Sequence, residues 1–104
     1  MKYERVKNYY NGAFVDSKAT GDLNVVSPLD GNLLSTVPMS TASELNAAVA
    51  SAKNAADSWG KTPIKERVQV FFKYRNLLEK NLDELTSLVS EENGKTYDEA
   101  RAEV

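Results

Sequence analysis

The sequence predicts an α+β arrangement: a β-hairpin and extended strands over residues 1–40, then three to four helices over residues 41–104. Three observations predict it. The dipeptide Asn11-Gly12 lies between the apolar pairs Tyr9-Tyr10 and Ala13-Phe14, and Asn-Gly accepts the positive φ angles of a type I′ hairpin turn. Pro28-Leu29-Asp30-Gly31 reads as a second turn, with Pro fixing φ early and Gly supplying φ > 0 late. From Thr41 onward the apolar residues recur at intervals of three and four, the period of a helix with one buried side.

Each element follows in order. The hairpin spans Tyr9 to Val15. Asn24-Val25-Val26-Ser27 is the next extended piece and Leu33-Leu34-Ser35-Thr36-Val37 the third, ended by Pro38. Thr41 and Glu44 form a capping box, each side chain bonding the other residue's free backbone N–H. Leu45, Ala48, Val49, Ala52, Ala56 and Trp59 then make an Ala-rich stripe expected to be buried, with Gly60 as its stop. Thr62-Pro63 is expected to open the next helix, with Thr as N-cap and Pro at the first helical position. Ile64, Val68, Phe71, Phe72, Leu77 and Leu78 form its expected buried side. Asn81 either caps a third helix or is run through. Leu82, Leu85, Leu88 and Val89 continue the stripe until Asn93-Gly94, where Gly94 is the expected left-handed residue. Thr96 and Glu99 make a second capping box.

That last segment has a start signal but no stop signal before Val104. A helix of about two turns is marginal in water. The chain is therefore expected to be the front piece of something longer.

Composition narrows the chemistry. The chain has 104 residues, enough for at most one domain. It has no Cys and no His, which excludes disulfides, a thiolate nucleophile, Ser-His-Asp and Cys-His devices and the ordinary zinc sites. No apolar run approaches the roughly 20 residues of a membrane span, and the first residues, Met1 to Lys7, hold no apolar h-region. A cytoplasmic protein is expected. A net charge of -2 gives no overall attraction to nucleic acid. The charge is uneven: Lys61, Lys65, Arg67, Lys73, Arg75 and Lys80 make one segment basic, and Asp83, Glu84, Glu91, Glu92, Asp98, Glu99 and Glu103 make the next acidic. Complementary solvated faces are the reading taken, because the adjacent acids would repel a polyanion.

The candidate sites mostly dissolve under inspection. Gly-Lys-Thr occurs at 60–62 and 94–96, but a phosphate-cradling loop needs a further glycine five positions earlier, after a strand. Those positions are Ala55 and Val89, inside expected helices. Glu91 and Glu92 point about 100° apart on a helix and would not share a substrate. Trp59 closes an apolar stripe and is expected in the core. One of Tyr9 and Tyr10 should pack inward and the other outward. Arg67 and Arg75 are expected to make surface or interdomain salt bridges. No catalytic, cofactor-binding or metal-ligating residue is assigned.

The ordered series nevertheless resembles a family. It runs Asn11-Gly12-Ala13-Phe14-Val15, Val26-Ser27-Pro28-Leu29-Asp30-Gly31, Val37-Pro38, Trp59, Arg67, Leu77-Leu78, Glu84-Leu85, Glu92-Asn93-Gly94-Lys95-Thr96, Glu99-Ala100 and Glu103-Val104. This is similar to the N-terminal segment of NAD(P)-dependent aldehyde dehydrogenases. Phe71-Phe72-Lys73-Tyr74 with the Glu-Asn-Gly-Lys-Thr run most resembles the acylating methylmalonate-semialdehyde branch. The resemblance implies an enzyme in which a Cys thiolate attacks the aldehyde, hydride passes to NAD, and water or coenzyme A releases the acyl group, with a backbone N–H and an Asn amide holding the oxyanion. None of those groups maps onto this chain. By the resemblance, residues 1–40 supply a hairpin and extended segment, and 41–104 the first helices of the cofactor-binding domain without its Rossmann core. Hydride transfer by these residues alone is excluded on that reading. The implied partners are the remainder of the enzyme or another copy of the chain, in a homo-oligomer. A free-standing helical module that binds a protein partner is the alternative, distinguished by whether its apolar stripes are covered.

Overall fold

A computed structural model describes residues 1–104. Four strands precede four helices: β1 (Asn8–Tyr10), β2 (Ala13–Val15), β3 (Asp22–Val26), β4 (Leu33–Pro38), α1 (Ala42–Lys61), α2 (Ile64–Lys80), α3 (Leu82–Asn93) and α4 (Tyr97–Glu103). The strands form two separate two-stranded sheets, β1-β2 and β3-β4. The chain divides into two compact units, one of residues 1–25 with 33–61, the other of residues 26–32 with 62–104.

The first unit is held largely by polar contacts. β1 and β2 pair antiparallel, Asn8 opposite Val15, Tyr9 opposite Phe14 and Tyr10 opposite Ala13. Asn11 and Gly12 take φ of 51° and 74°, as the two-residue turn requires. The segment before β1 runs beside β4, where Tyr3 N donates to Leu34 O at 2.8 Å and Val6 N to Thr36 O at 2.9 Å. Ser35 Oγ donates to Glu4 O at 2.6 Å. Arg5 clamps the entry to β3: its Nη2 reaches Asp22 Oδ1 at 2.6 Å and its Nη1 the Ser17 carbonyl at 3.0 Å. Leu34 and Pro38 of β4 are buried apolar residues here.

In the second unit, residues 27–32 form the expected turn. Gly31 has φ 74°, its N–H donates to Ser27 O at 2.8 Å, and Ser27 N donates back to Asn32 O at 2.9 Å. Helices α3 and α4 close on each other. Gly94 ends α3 in the left-handed region at φ 68°, with its N–H on Ser90 O. Thr96 and Glu99 then start α4 with both halves of the capping box formed. Asp83 receives Tyr97 Oη at 2.9 Å and Arg101 Nη1 at 3.1 Å, and Lys95 pairs with Glu103. Thr86 and Ala100 are completely buried. The Thr86 hydroxyl is satisfied inside its own helix, donating to Leu82 O at 2.7 Å.

Several expectations need correction. β3 begins at Asp22, two residues before the expected start. Gly60 does not stop α1, which runs through it to Lys61. Gly60 is not in the left-handed region, and the helix ends where Pro63 disfavours helical φ/ψ at Thr62. Pro63 itself occupies the cap position of α2, with φ -55° and ψ 142° and no side-chain cap bond. An N–H at that position would have had no partner within the helix, so the donor that proline lacks costs nothing. Asn81 does separate α2 from α3, but its side chain serves the helix behind it, Nδ2 donating to Leu77 O at 2.7 Å.

The largest correction concerns burial. Neither α1 nor α2 holds a buried residue. Leu45 is 64% exposed, Trp59 42% and Phe71 64%. On α1 the half-buried positions are Glu44, Ala48 and Ser51, so the helix packs through a face that takes only Ala48 from the apolar stripe. The rest of the stripe is left open.

Candidate functional site

The Glu44 carboxylate accepts four hydrogen bonds. It completes the capping box at the start of α1, accepting from Thr41 N at 2.7 Å and Thr41 Oγ1 at 2.9 Å. It also accepts from Ser17 Oγ at 3.0 Å and Lys18 N at 2.8 Å. The Thr41 and Lys18 backbone N–H groups, with the two hydroxyls, hold its pKa down from 4.5 to about 2. Hydrogen bonds to the charged form have this effect. The cluster is a structural latch: it ties residues 17–18 to a helix start, and its oxygens are already taken.

A groove of about 280 Å³ lies beside the hairpin tip, lined by Tyr10, Asn11, Ala47, Ala50, Ser51 and Asn54. Its walls carry amides, a hydroxyl and small apolar groups. It holds no charged side chain, no nucleophile with an adjacent base and no metal-ligand set.

The residues singled out in the sequence fall as follows. Gly60 and Lys61 are the last residues of α1, so their amides belong to a helix. At the second Gly-Lys-Thr, Gly94 N donates to Ser90 O at 2.9 Å and Thr96 N to Glu99 Oε2 at 3.1 Å. Neither triplet offers the run of free N–H groups a phosphate needs. Glu91 is half-buried and Glu92 exposed near the end of α3. Tyr10 turns inward, while Tyr9 is exposed and packs edge-on to Phe14 with centroids 4.9 Å apart. Arg75 pairs with Glu79 one turn on, at 3.0 Å. Arg67 is different from the expectation: it is half-buried, and its Nε is enclosed with no hydrogen-bond partner. Nowhere do three His, Cys, Asp or Glu side chains gather as metal ligands. No helix is long and apolar enough to cross a membrane. The reach of Glu44 to residues 17–18 and the Arg5–Asp22 clamp are not visible in the sequence, since nothing local marks either partner.

The chain thus combines short antiparallel strands with helices whose large apolar side chains are mostly exposed. Residues 14–104 match the aldehyde dehydrogenase family, and the chain belongs to that family. It is 43% identical over 101 residues to malonate-semialdehyde dehydrogenase 1 of Geobacillus thermodenitrificans, covering 97% of this chain and 21% of that protein. It is 45% identical over the same length to the malonate-semialdehyde dehydrogenase of Halalkalibacterium halodurans, again spanning 21% of it. Among solved structures, a Sinorhizobium meliloti protein described as a methylmalonate-semialdehyde dehydrogenase, in complex with NAD, superimposes with a TM-score of 0.92 at 35% identity. All of this chain and 21% of that one are covered. The family expected from the ordered residue series is the family found, and the chain spans about a fifth of the length of these relatives.

Proposed function

We propose that the chain is the N-terminal part of an NAD-dependent dehydrogenase acting on a small semialdehyde, of the coenzyme A-acylating malonate or methylmalonate type, and that it is catalytically silent alone. The observation that carries this reading is 43% and 45% identity across 97% of the chain to two proteins named malonate-semialdehyde dehydrogenase. The chemistry supports the second half. Thiohemiacetal formation needs a thiolate, and the chain contains no Cys. Residues 1–40 supply the hairpin and extended segment, and residues 41–104 open the cofactor-binding domain. NAD and coenzyme A are assigned to the whole enzyme, a cytoplasmic homo-oligomer, and no catalytic, cofactor or metal residue to these residues.

The exposed stripes of α1 and α2 argue against a free-standing module, which would have to cover its own apolar faces. The remaining polypeptide of the enzyme, or a second copy of the chain, is the proposed cover. The test is an assay of the purified chain with malonate semialdehyde, NAD and coenzyme A, beside its intact mass and the length of its reading frame. No NADH should form, and the frame should continue past Val104. NADH formation, or a frame that stops there in a compact monomer, would overturn the reading.

A further inference from the structure

We propose that Asn11 is a site of spontaneous deamidation, favoured by the hairpin turn over the other Asn-Gly step, Asn93-Gly94. An Asx-Gly step is susceptible because glycine has no side chain to hinder its nitrogen's approach to the Asx side-chain carbonyl. The sequence contains three: Asn11-Gly12, Asp30-Gly31 and Asn93-Gly94. In two of them the attacking nitrogen is occupied. Gly31 N donates to Ser27 O at 2.8 Å, and Gly94 N donates to Ser90 O at 2.9 Å. Their electrophiles are held as well. Asp30 accepts from Asn32 N at 3.0 Å and Asn32 Nδ2 at 2.6 Å. Asn93 Nδ2 donates to Val89 O at 3.3 Å. Gly94 is also crowded, since a Cβ there would lie 3.0 Å from Pro28 Cγ.

Asn11-Gly12 has none of these restraints. A two-residue hairpin turn directs the N–H of its second residue to solvent, and Gly12 N enters no backbone hydrogen bond. A Cβ at Gly12 would meet nothing within 4 Å. Both residues are exposed. The reaction balances without an oxidant. Gly12 N attacks Asn11 Cγ, the N–Cγ bond forms, the Cγ–Nδ2 bond breaks, and ammonia departs with the amide proton. Water then opens the succinimide at one carbonyl or the other, leaving aspartate or isoaspartate at position 11. The product places a negative charge on the groove that Asn11 lines with Tyr10 and Ser51. The isoaspartyl form also adds a backbone atom inside a turn whose register sets Tyr10 opposite Ala13.

The test is ageing of the full chain at mildly alkaline pH, natively and in urea, followed by tryptic mass mapping. Deamidation adds about 1 Da, and the peptides Asn8–Lys18 and Asn81–Lys95 report the two Asn-Gly steps separately. Fragment ions separate Asn11 from Asn8. In urea both steps are unrestrained and should react at similar rates. In the native chain Asn11 should outpace Asn93 by roughly tenfold, the factor equivalent to about 1.4 kcal/mol, which is the order of one hydrogen bond to be broken first. A native ratio equal to the urea ratio, faster loss at Asn93, or protection of Asn11 in the native chain would each overturn the proposal.

Discussion

Helices α3 and α4 close on each other, whereas α1 and α2 do not close on anything that buries their apolar stripes. The first pair has a left-handed glycine, a complete capping box, an Asp83–Tyr97–Arg101 cluster and two completely buried residues. The second pair is longer and without one buried residue. Length and helix propensity therefore do not decide which helices are anchored. A seven-residue helix such as α4 could not persist in water by itself. It is held by specific bonds and by Ala100, while the 20-residue α1 presents Leu45, Val49 and Trp59 to solvent.

The largest effect should come from overfilling the closed pair. Ala100 is completely buried, so Ala100→Leu must displace its surroundings, at a cost of about 3 kcal/mol. A urea unfolding midpoint unchanged by this substitution would mean that the α3–α4 seam is not close-packed. Gly94→Ala should come next, at about 1–2 kcal/mol. It forces a side chain into φ 68° and places a Cβ 3.0 Å from Pro28 Cγ, and left-handed conformations of other residues carry strain of this order. Gly60→Ala is the control. Gly60 is helical, and an added methyl there would meet nothing within 4 Å, so this change should be neutral or slightly stabilising. Equal losses at the two glycines would remove the distinction between a conformational and a merely helical glycine.

The latch at Glu44 gives a smaller, pH-confined effect. Its folded pKa is depressed to about 2 from 4.5. The stabilisation is thus fully present above pH 4.5 and is lost as pH falls through about 2. Glu44→Gln should flatten the fall of the urea midpoint across that window and leave its slope above pH 5 unchanged. A variant with the parent's acid profile would show that other carboxylates govern the acid limb.

What is legible in the sequence is local. Asn11-Gly12, Gly31, Gly94 and both capping boxes stand where the sequence predicts them, because a φ angle or an i,i+3 bond depends on a few neighbouring residues. Gly60 misleads because glycine permits a helix stop without imposing one, and Pro63 supplies it instead. Arg5 with Asp22, and Glu44 with Ser17 and Lys18, join residues 17 to 27 positions apart, and no local pattern marks such partners. The apolar stripes are legible too, but periodicity states that a face is apolar and not what covers it.

The smallest effect on stability should lie on those open stripes. Leu45→Gln on α1 and Leu77→Gln on α2 replace side chains that are 64% and 57% exposed, so each should shift unfolding by less than about 0.5 kcal/mol. Binding of an apolar dye, and any concentration-dependent association seen in sedimentation, should fall in the same variants, because open apolar faces are where a missing cover or a second copy attaches. The contrast with Ala100→Leu separates the two kinds of helix by their readouts: one set of changes alters folding, the other alters what the surface holds. A loss at Leu45 or Leu77 approaching that at Ala100 would mean that the stripes are covered within the chain in solution, and the proposal that they await the rest of an enzyme would lose its structural support.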